Sequence, residues 1–167
     1  AADVAGGTDG INARKLGTGA GALSISATGT VSGGTGFGIR AENGGTDLTI
    51  HAAEVTGGFD GINATSNGTG ALNIATTGTV TGIDGRGILA FNHGTGALRI
   101  TSTGSVVGGH RQSGIQAQNR GTDLSIDVAT VIGGISATNA GSGALGITPR
   151  TVASDTYSGI SARNTAA

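Results

Sequence analysis

The 167-residue sequence predicts an all-β fold, and three observations lead to this prediction. The chain holds 35 glycines, its aliphatic residues recur at regular intervals, and within each recurrence they stand two positions apart. A spacing of two is the period of a strand with one buried face. The glycine content and the abundant β-branched residues disfavour helices. We therefore expect short strands joined by glycine-rich corners.

Three apolar signatures follow one another in a fixed order along the chain: Leu-x-Ile, a lone Val and Gly-Ile-x-Ala. The Leu residues of the first signature are separated by 21 to 26 positions, and they are Leu23, Leu48, Leu72, Leu98, Leu124 and Leu145. An internal repeat of this length is typical of a solenoid. The repeating unit is therefore about 25 residues long.

Stacking of these units explains why the chain repeats itself. One unit cannot bury its own apolar face and needs identical neighbours above and below. With three short strands per unit, each unit closes into a coil, and coils ~4.8 Å apart pair their strands in parallel. The sequence therefore predicts one parallel β-helix, a β-solenoid of six to seven coils, spanning residues 1–167.

An asparagine follows most copies of the third signature. Asn tolerates the backbone conformations of corners, and stacked amides can hydrogen-bond from coil to coil. The structural interpretation is favoured over a ligand site. The predicted corner column comprises Asn43, Asn67, Asn92, Asn119, Asn139 and Asn164, of which Asn67 falls one place later than the others.

Composition narrows the range of functions. Nine Lys and Arg residues nearly balance ten Asp and Glu residues, and no basic run occurs, which disfavours nucleic-acid binding. The chain lacks Cys, and its three His residues do not have metal-site spacing. We therefore expect no metal and no cofactor.

The coils with GTGALxI, TGTV and GIxAxN resemble the passenger domains of bacterial autotransporters, the type V secreted surface proteins. The resemblance extends from Val4 to Asn164 and implies a right-handed parallel β-helix at the surface of a Gram-negative cell, or released from it. Members of this family also carry a signal peptide and a C-terminal membrane barrel. Both are absent from these 167 residues, so we expect a fragment of a longer passenger whose membrane contact is made only through that absent barrel.

The resemblance implies a non-enzymatic structural and adhesive segment that projects from the cell. The expected partners are a second copy, bound through coil ends or lateral faces, and a host surface protein or glycan.

The segments between Val and Gly-Ile vary most in length and are the candidate binding ridge. Insertions in solenoids concentrate where binding residues lie. Aromatic and Arg side chains are enriched in binding surfaces, although isolated exposed Phe residues are also ordinary. The candidate residues are Phe37, Phe59, Asp60, Arg86, His110, Arg111 and Tyr157.

A glycan-active enzyme is one alternative. Asp60 and Asp84 occupy equivalent segments of adjacent units with Arg86 nearby, and carboxylate pairs catalyse glycoside hydrolysis. Asp before Gly is also ordinary turn chemistry, which is the favoured interpretation. The histidines fall on different parts of the coil, which disfavours a catalytic triad.

An ice-binding solenoid is a second alternative, because hydroxyl residues flank the lone Val in Thr30-Val31-Ser32 and Thr79-Val80-Thr81. Glu54 interrupts that column, and Thr is also a good strand former.

Overall fold

The computed structural model describes residues 2–154 and 159–165. The regular secondary structure of these residues consists of β-strands alone. The strands are β1 (Val4–Gly6), β2 (Ile11–Lys15), β3 (Leu23–Gly33), β4 (Ile39–Asn43), β5 (Leu48–Gly57), β6 (Ile62–Ser66), β7 (Leu72–Thr76), β8 (Val80–Gly82), β9 (Ile88–Asn92), β10 (Leu98–Val107), β11 (Ile115–Asn119), β12 (Leu124–Ile132), β13 (Ile135–Asn139), β14 (Leu145–Ala153) and β15 (Ile160–Asn164).

The strands form two parallel sheets, which confirms the predicted β-solenoid. One sheet has the order β1-β3-β5-β7-β10-β12-β14, with β8 pairing β5 and β10, and it carries the Leu-x-Ile and Val signatures. The other has the order β15-β13-β11-β9-β6-β4-β2 and carries Gly-Ile-x-Ala. Each strand pairs with the copy of itself one coil away, so the chain winds through about six turns.

Like residues stack on like residues along the axis, as the repeat predicts. Leu72 pairs with Leu98, and Ile74 pairs with Ile100. The differing residues of these two copies, Asn73 and Arg99, also pair and lie on the outer face. Leu98 is fully buried, and each fully buried Leu contributes roughly 1.5–3 kcal/mol.

The first two signatures usually share one strand, which differs from the expected three short strands per coil. They lie together on β3, β5, β10, β12 and β14, and separately on β7 and β8. Between the Leu-x-Ile and Val signatures the strand bends, and β3 and β10 have one residue more at this bend than their neighbours β5 and β12. Gly29 and Gly104 lie at these two shifts in register. The extra residue is accommodated as a bulge within β3 and β10, so the bend there does not end the strand.

The neighbouring coil requires glycine before the buried Ile of the Gly-Ile-x-Ala signature at Gly38, Gly61 and Gly87. A β-carbon on Gly61 would lie 2.6 Å from the Gly87 carbonyl oxygen and 2.8 Å from Val80 Cγ1. Gly38 and Gly87 meet the corresponding Val and Gly in the same way. The Gly-Ile dipeptide therefore recurs because two coils approach too closely there for any side chain.

Candidate functional site

The asparagine column forms a buried ladder of side-chain hydrogen bonds. Asn92 Nδ2 donates to Asn119 Oδ1 over 2.7 Å, and Asn119 Nδ2 donates to Asn139 Oδ1 over 2.9 Å. Asn119 also donates to the Thr122 and Asp123 carbonyls and accepts from Gly121 N–H. Asn43 makes the same contacts with its own corner. The ladder ties each corner both to itself and to the next coil, as its structural interpretation requires.

The placement of Asn67 in this column is wrong. Ser66 pairs with Asn43 on one side and Asn92 on the other, and it is buried, whereas Asn67 is exposed. Side chains alternate along β6, so its last residue, Ser66, points inward. Asn67 comes one position later, and its amide therefore points outward. Ser66 Oγ is buried and has no hydrogen-bond partner among the described residues.

Asn164 lies at the end of the column. It pairs in register with Asn139, and its Nδ2 donates to the Gly143 carbonyl over 3.4 Å, but the residue is exposed. Its exposure differs from that of the buried Asn139 because no described strand covers β15 on its far side.

Asp60 is a buried structural residue. Its Oδ1 accepts the backbone N–H of Arg86 in the next coil over 2.8 Å, and its Oδ2 accepts from Asn63 Nδ2 over 3.2 Å. Arg86 Nη1 lies 3.8 Å from Asp60 Oδ1, and Arg86 Nε donates to Gln116 Oε1 over 2.6 Å. Both carboxylate oxygens of Asp60 are thus engaged within the coil stack.

Asp84 lies on the surface, in contrast to its sequence equivalent Asp60. The two carboxylates have different environments and do not form a matched pair of exposed acids. This arrangement supports the structural interpretation of Asp60, although the reason is a bond to the next coil and not only turn chemistry within its own.

Among the residues that the structure describes, Asp60 is one of five aspartates that share this arrangement. Each carboxylate lies against a glycine of the next coil and accepts the N–H of the residue after that glycine. The aspartate–glycine pairs are Asp3 with Gly29, Asp9 with Gly36, Asp47 with Gly70, Asp60 with Gly85, and Asp123 with Gly143. A β-carbon on any of these glycines would collide with the Asp oxygen.

Three apolar residues in equivalent segments of successive coils define the apolar ridge: the half-buried Phe37 and the exposed Phe59 and Ile83. The Phe37 and Phe59 rings meet edge to face with centroids 6.1 Å apart, and the Arg40 guanidinium lies 5.5 Å from the Phe37 centroid. Phe59 is 44% exposed and Ile83 is 55% exposed. The structure therefore brings together two predicted residues and adds Ile83, which sequence reasoning missed because it considered only aromatic and charged types.

His110 and Arg111 lie between the Val and Gly-Ile signatures of the coil after that of Ile83, and both are exposed. Gly109 N–H donates to the Gly85 carbonyl over 2.7 Å, which anchors the segment to the coil of Ile83. Arg111 adopts φ 60°, a left-handed conformation that non-glycine residues rarely adopt. Tyr157, the remaining residue of the candidate binding ridge predicted from sequence, lies outside the described residues.

The bend of the Leu-x-Ile and Val sheet forms a shallow groove that sequence reasoning missed. Its cavity of about 430 Å³ is lined by small side chains and one histidine, including Thr28, His51, Ala75, Thr77, Thr101 and Thr103. Thr101 and Thr103 donate to carbonyls of the preceding coil. The recurring Thr-Gly insertion was the available sequence signal, since it marks the bend.

The remaining candidates are dispersed. His93 stacks on Phe91 and His51 lies in the groove, so the histidines do not converge. Within residues 2–154 and 159–165, no group of three or more His, Cys, Asp or Glu side chains is arranged to hold a metal ion. The flanking hydroxyls Thr30 and Thr79 are interrupted in register by Glu54.

The fold defines the chain as a parallel β-solenoid. No family model matches it, and no curated protein or solved structure shows significant similarity to it. In the part of the chain that the structure describes, no helix has the length and apolar character needed to cross a membrane.

Proposed function

We propose that this chain is a non-enzymatic structural and adhesive segment of an exported bacterial surface protein, and that it projects a binding surface away from the cell. The observation that carries this proposal is the unbroken coil-to-coil pairing from β1 to β14 and from β2 to β15. A continuous stack transmits position along its axis because every coil is fixed to the next.

The use of the polar residues supports a load-bearing role. The Asn92–Asn119–Asn139 ladder uses buried amides in bonds between coils, and the aspartate–glycine pairs use carboxylates in such bonds, with the carboxylate of Asp60 buried. Hydrogen bonds to charged groups contribute roughly 1.5–3 kcal/mol each, so these contacts add stability where the aliphatic interior is thin. This cohesion is what a projecting rod requires.

The apolar ridge is the proposed adhesive surface. Phe59 and Ile83 expose apolar area in equivalent segments of adjacent coils, the Arg40 guanidinium lies over the Phe37 ring, and Arg111 is exposed in the same segment of the next coil. Exposed aromatics flanked by Arg are typical of the anchoring residues of protein interfaces. A host surface protein is the proposed partner, with a surface glycan as the alternative.

The sequence resemblance to autotransporter passengers supports the proposed location at the surface of a Gram-negative cell. The coil motifs that carry it, such as Gly68–Ile74 and Gly94–Ile100, coincide with corners and strands of the observed solenoid.

Surface display tests the projecting role. One copy or two tandem copies of the chain would be placed between an N-terminal fluorophore and a membrane anchor, and the fluorophore height would be measured. About six turns at ~4.8 Å give roughly 30 Å per copy, so the contribution of the rod doubles on duplication. A Gly/Ser linker of equal length is the control, because its end-to-end distance grows only about 1.4-fold. If the fluorophore height contributed by the chain also grew only about 1.4-fold on duplication, a rigid rod would be ruled out.

Adhesion tests the ridge separately. Beads coated with the chain would be applied to host epithelial cells, with and without enzymatic removal of surface glycans. The double variant Phe59→Ser and Ile83→Ser should bind at least about tenfold more weakly, because two exposed anchors are lost. Leu16→Ser is the matched control, since Leu16 is 62% exposed at a different corner. Equal losses in both variants would contradict an adhesive ridge.

A further inference from the structure

Asn-Gly occurs twice in the chain, at Asn43-Gly44 and Asn67-Gly68, and the two copies lie at equivalent corners of adjacent coils. Their side chains nevertheless have opposite environments. Asn43 is fully buried within the asparagine column, whereas Asn67 is exposed because Ser66 takes the inward position. The same dipeptide is thus held in two states within one fold.

We propose that Asn67 is a site of spontaneous deamidation and that burial in the column protects Asn43 from the same reaction. The Gly68 backbone nitrogen loses its proton and attacks the side-chain carbonyl carbon of Asn67. The new C–N bond closes a succinimide ring while the bond to the amide nitrogen breaks, and ammonia leaves with the proton. Water then opens either carbonyl of the ring and gives Asp or isoaspartate. Glycine favours the attack because it has no side chain to obstruct it.

Asn43 is protected by the bonds that its amide must break before it can rotate into position. Its Nδ2 donates to the Thr46 and Asp47 carbonyls, each over 2.9 Å, and its Oδ1 accepts from Gly45 N–H over 3.1 Å. Asn67 makes no side-chain hydrogen bond to another described residue and lies at the surface. Release of the side-chain amide from its hydrogen bonds must therefore precede reaction at Asn43 but not at Asn67.

The product alters the contact between coils. Asn67 N–H donates to the Asn43 carbonyl over 2.7 Å, and Thr69 N–H donates to the Gly45 carbonyl over 3.0 Å. Isoaspartate inserts an additional methylene into the backbone between these two bonds and adds a negative charge. Deamidation therefore loosens the corner between β6 and β7 while the asparagine column stays intact.

Peptide mass spectrometry tests the proposal within one fragment, because tryptic peptide 41–86 contains both asparagines. The folded protein would be incubated at mildly alkaline pH and 37 °C, digested, and fragmented to locate the mass gain. Loss of three hydrogen bonds on opening predicts reaction at Asn67 about a hundredfold faster than at Asn43. Urea-unfolded protein is the control, in which both sites should react at similar rates.

The ratio of the two rates decides the outcome. A ratio above about tenfold in the folded protein, together with similar rates in urea, supports the proposal. A smaller ratio overturns it, and so does an unreactive Asn67 in folded protein whose urea control reacts. The variant Asn67→Ser, which keeps a polar surface residue, should abolish the isoaspartate detected by isoaspartyl methyltransferase. Persistence of that signal at the same corner would also overturn the assignment.

Discussion

Asn92 Nδ2 and Asn119 Oδ1 lie 2.7 Å apart in the interior of the solenoid, across the boundary between two coils. Each of these amides also satisfies the backbone of its own corner. Corner conformation and coil stacking are therefore coupled through one side chain, and the column is sensitive to replacement at any inward position.

Asn119→Ala should be strongly destabilising. The substitution leaves the Thr122 and Asp123 carbonyls and the Gly121 N–H without their partner and breaks both bonds along the column. We expect a loss of about 3 kcal/mol or more in unfolding free energy, measured by urea denaturation. The neighbouring outward substitution Gln118→Ala should stay within about 0.5 kcal/mol. Similar losses in the two variants would contradict a structural column.

Ser66→Asn should stabilise the protein. Asn at this position restores the amide between Asn43 and Asn92 and removes a buried hydroxyl that has no partner. The expected gain is about 1–2 kcal/mol, seen as a higher urea midpoint at an unchanged m-value. Ser66→Ala is the control and should give a smaller gain, since it deletes the unpaired hydroxyl without adding hydrogen bonds. A lower midpoint for Ser66→Asn would show that the corner cannot admit the amide.

Asp60→Ala and Asp84→Ala should differ in their effects on stability. Removing the Asp60 carboxylate leaves the buried Arg86 N–H unpaired and frees Asn63, at a cost of about 2 kcal/mol. Asp84 is exposed, so its replacement should cost less than about 0.5 kcal/mol. Thermal denaturation of both variants checks this. If neither variant lowers the melting temperature, the bond between coils is not the role of Asp60.

Gly61→Ala should disrupt packing between coils. The added methyl would meet the rigid Gly87 carbonyl and Val80 Cγ1 at 2.6 and 2.8 Å, so the two coils must separate locally. Overpacking of this kind costs about 1–3 kcal/mol or more. Gly7→Ala is the matched control, because the space around Gly7 is open. Hydrogen exchange at Ile62 and Ile88 would report the separation, and full protection of both amides would exclude it.

The fold was predictable from sequence because each coil repeats the same buried side chains. The spacing from Leu72 to Leu98 gives the coil length, and the alternation within Leu-x-Ile identifies the buried face. The number of strands per coil was harder to predict from sequence, since the lone Val continues the Leu-x-Ile strand where a bulge accommodates the bend.

The site was only partly predictable, because two of its features depend on the neighbouring coil. Aligning Asn67 with the column requires a one-residue shift, but strand alternation fixes Ser66 as the inward residue. The role of Asp60 depends on a glycine found 25 positions later, at Gly85. A comparison of successive units, position by position, would have revealed this pairing.

The aspartate–glycine pairs restrict which repeating unit can follow which. Asp47 is followed one coil later by Gly70, and Asp123 is followed by Gly143, so a unit that carries the acid needs a successor that lacks a β-carbon. Two acid-bearing units placed in direct succession would lose this fit. Duplication of such a chain is therefore constrained at each acid-bearing unit, whose successor must supply the glycine, whereas a joint such as that between Gly70 and Gly96 contains no acid and lacks this constraint.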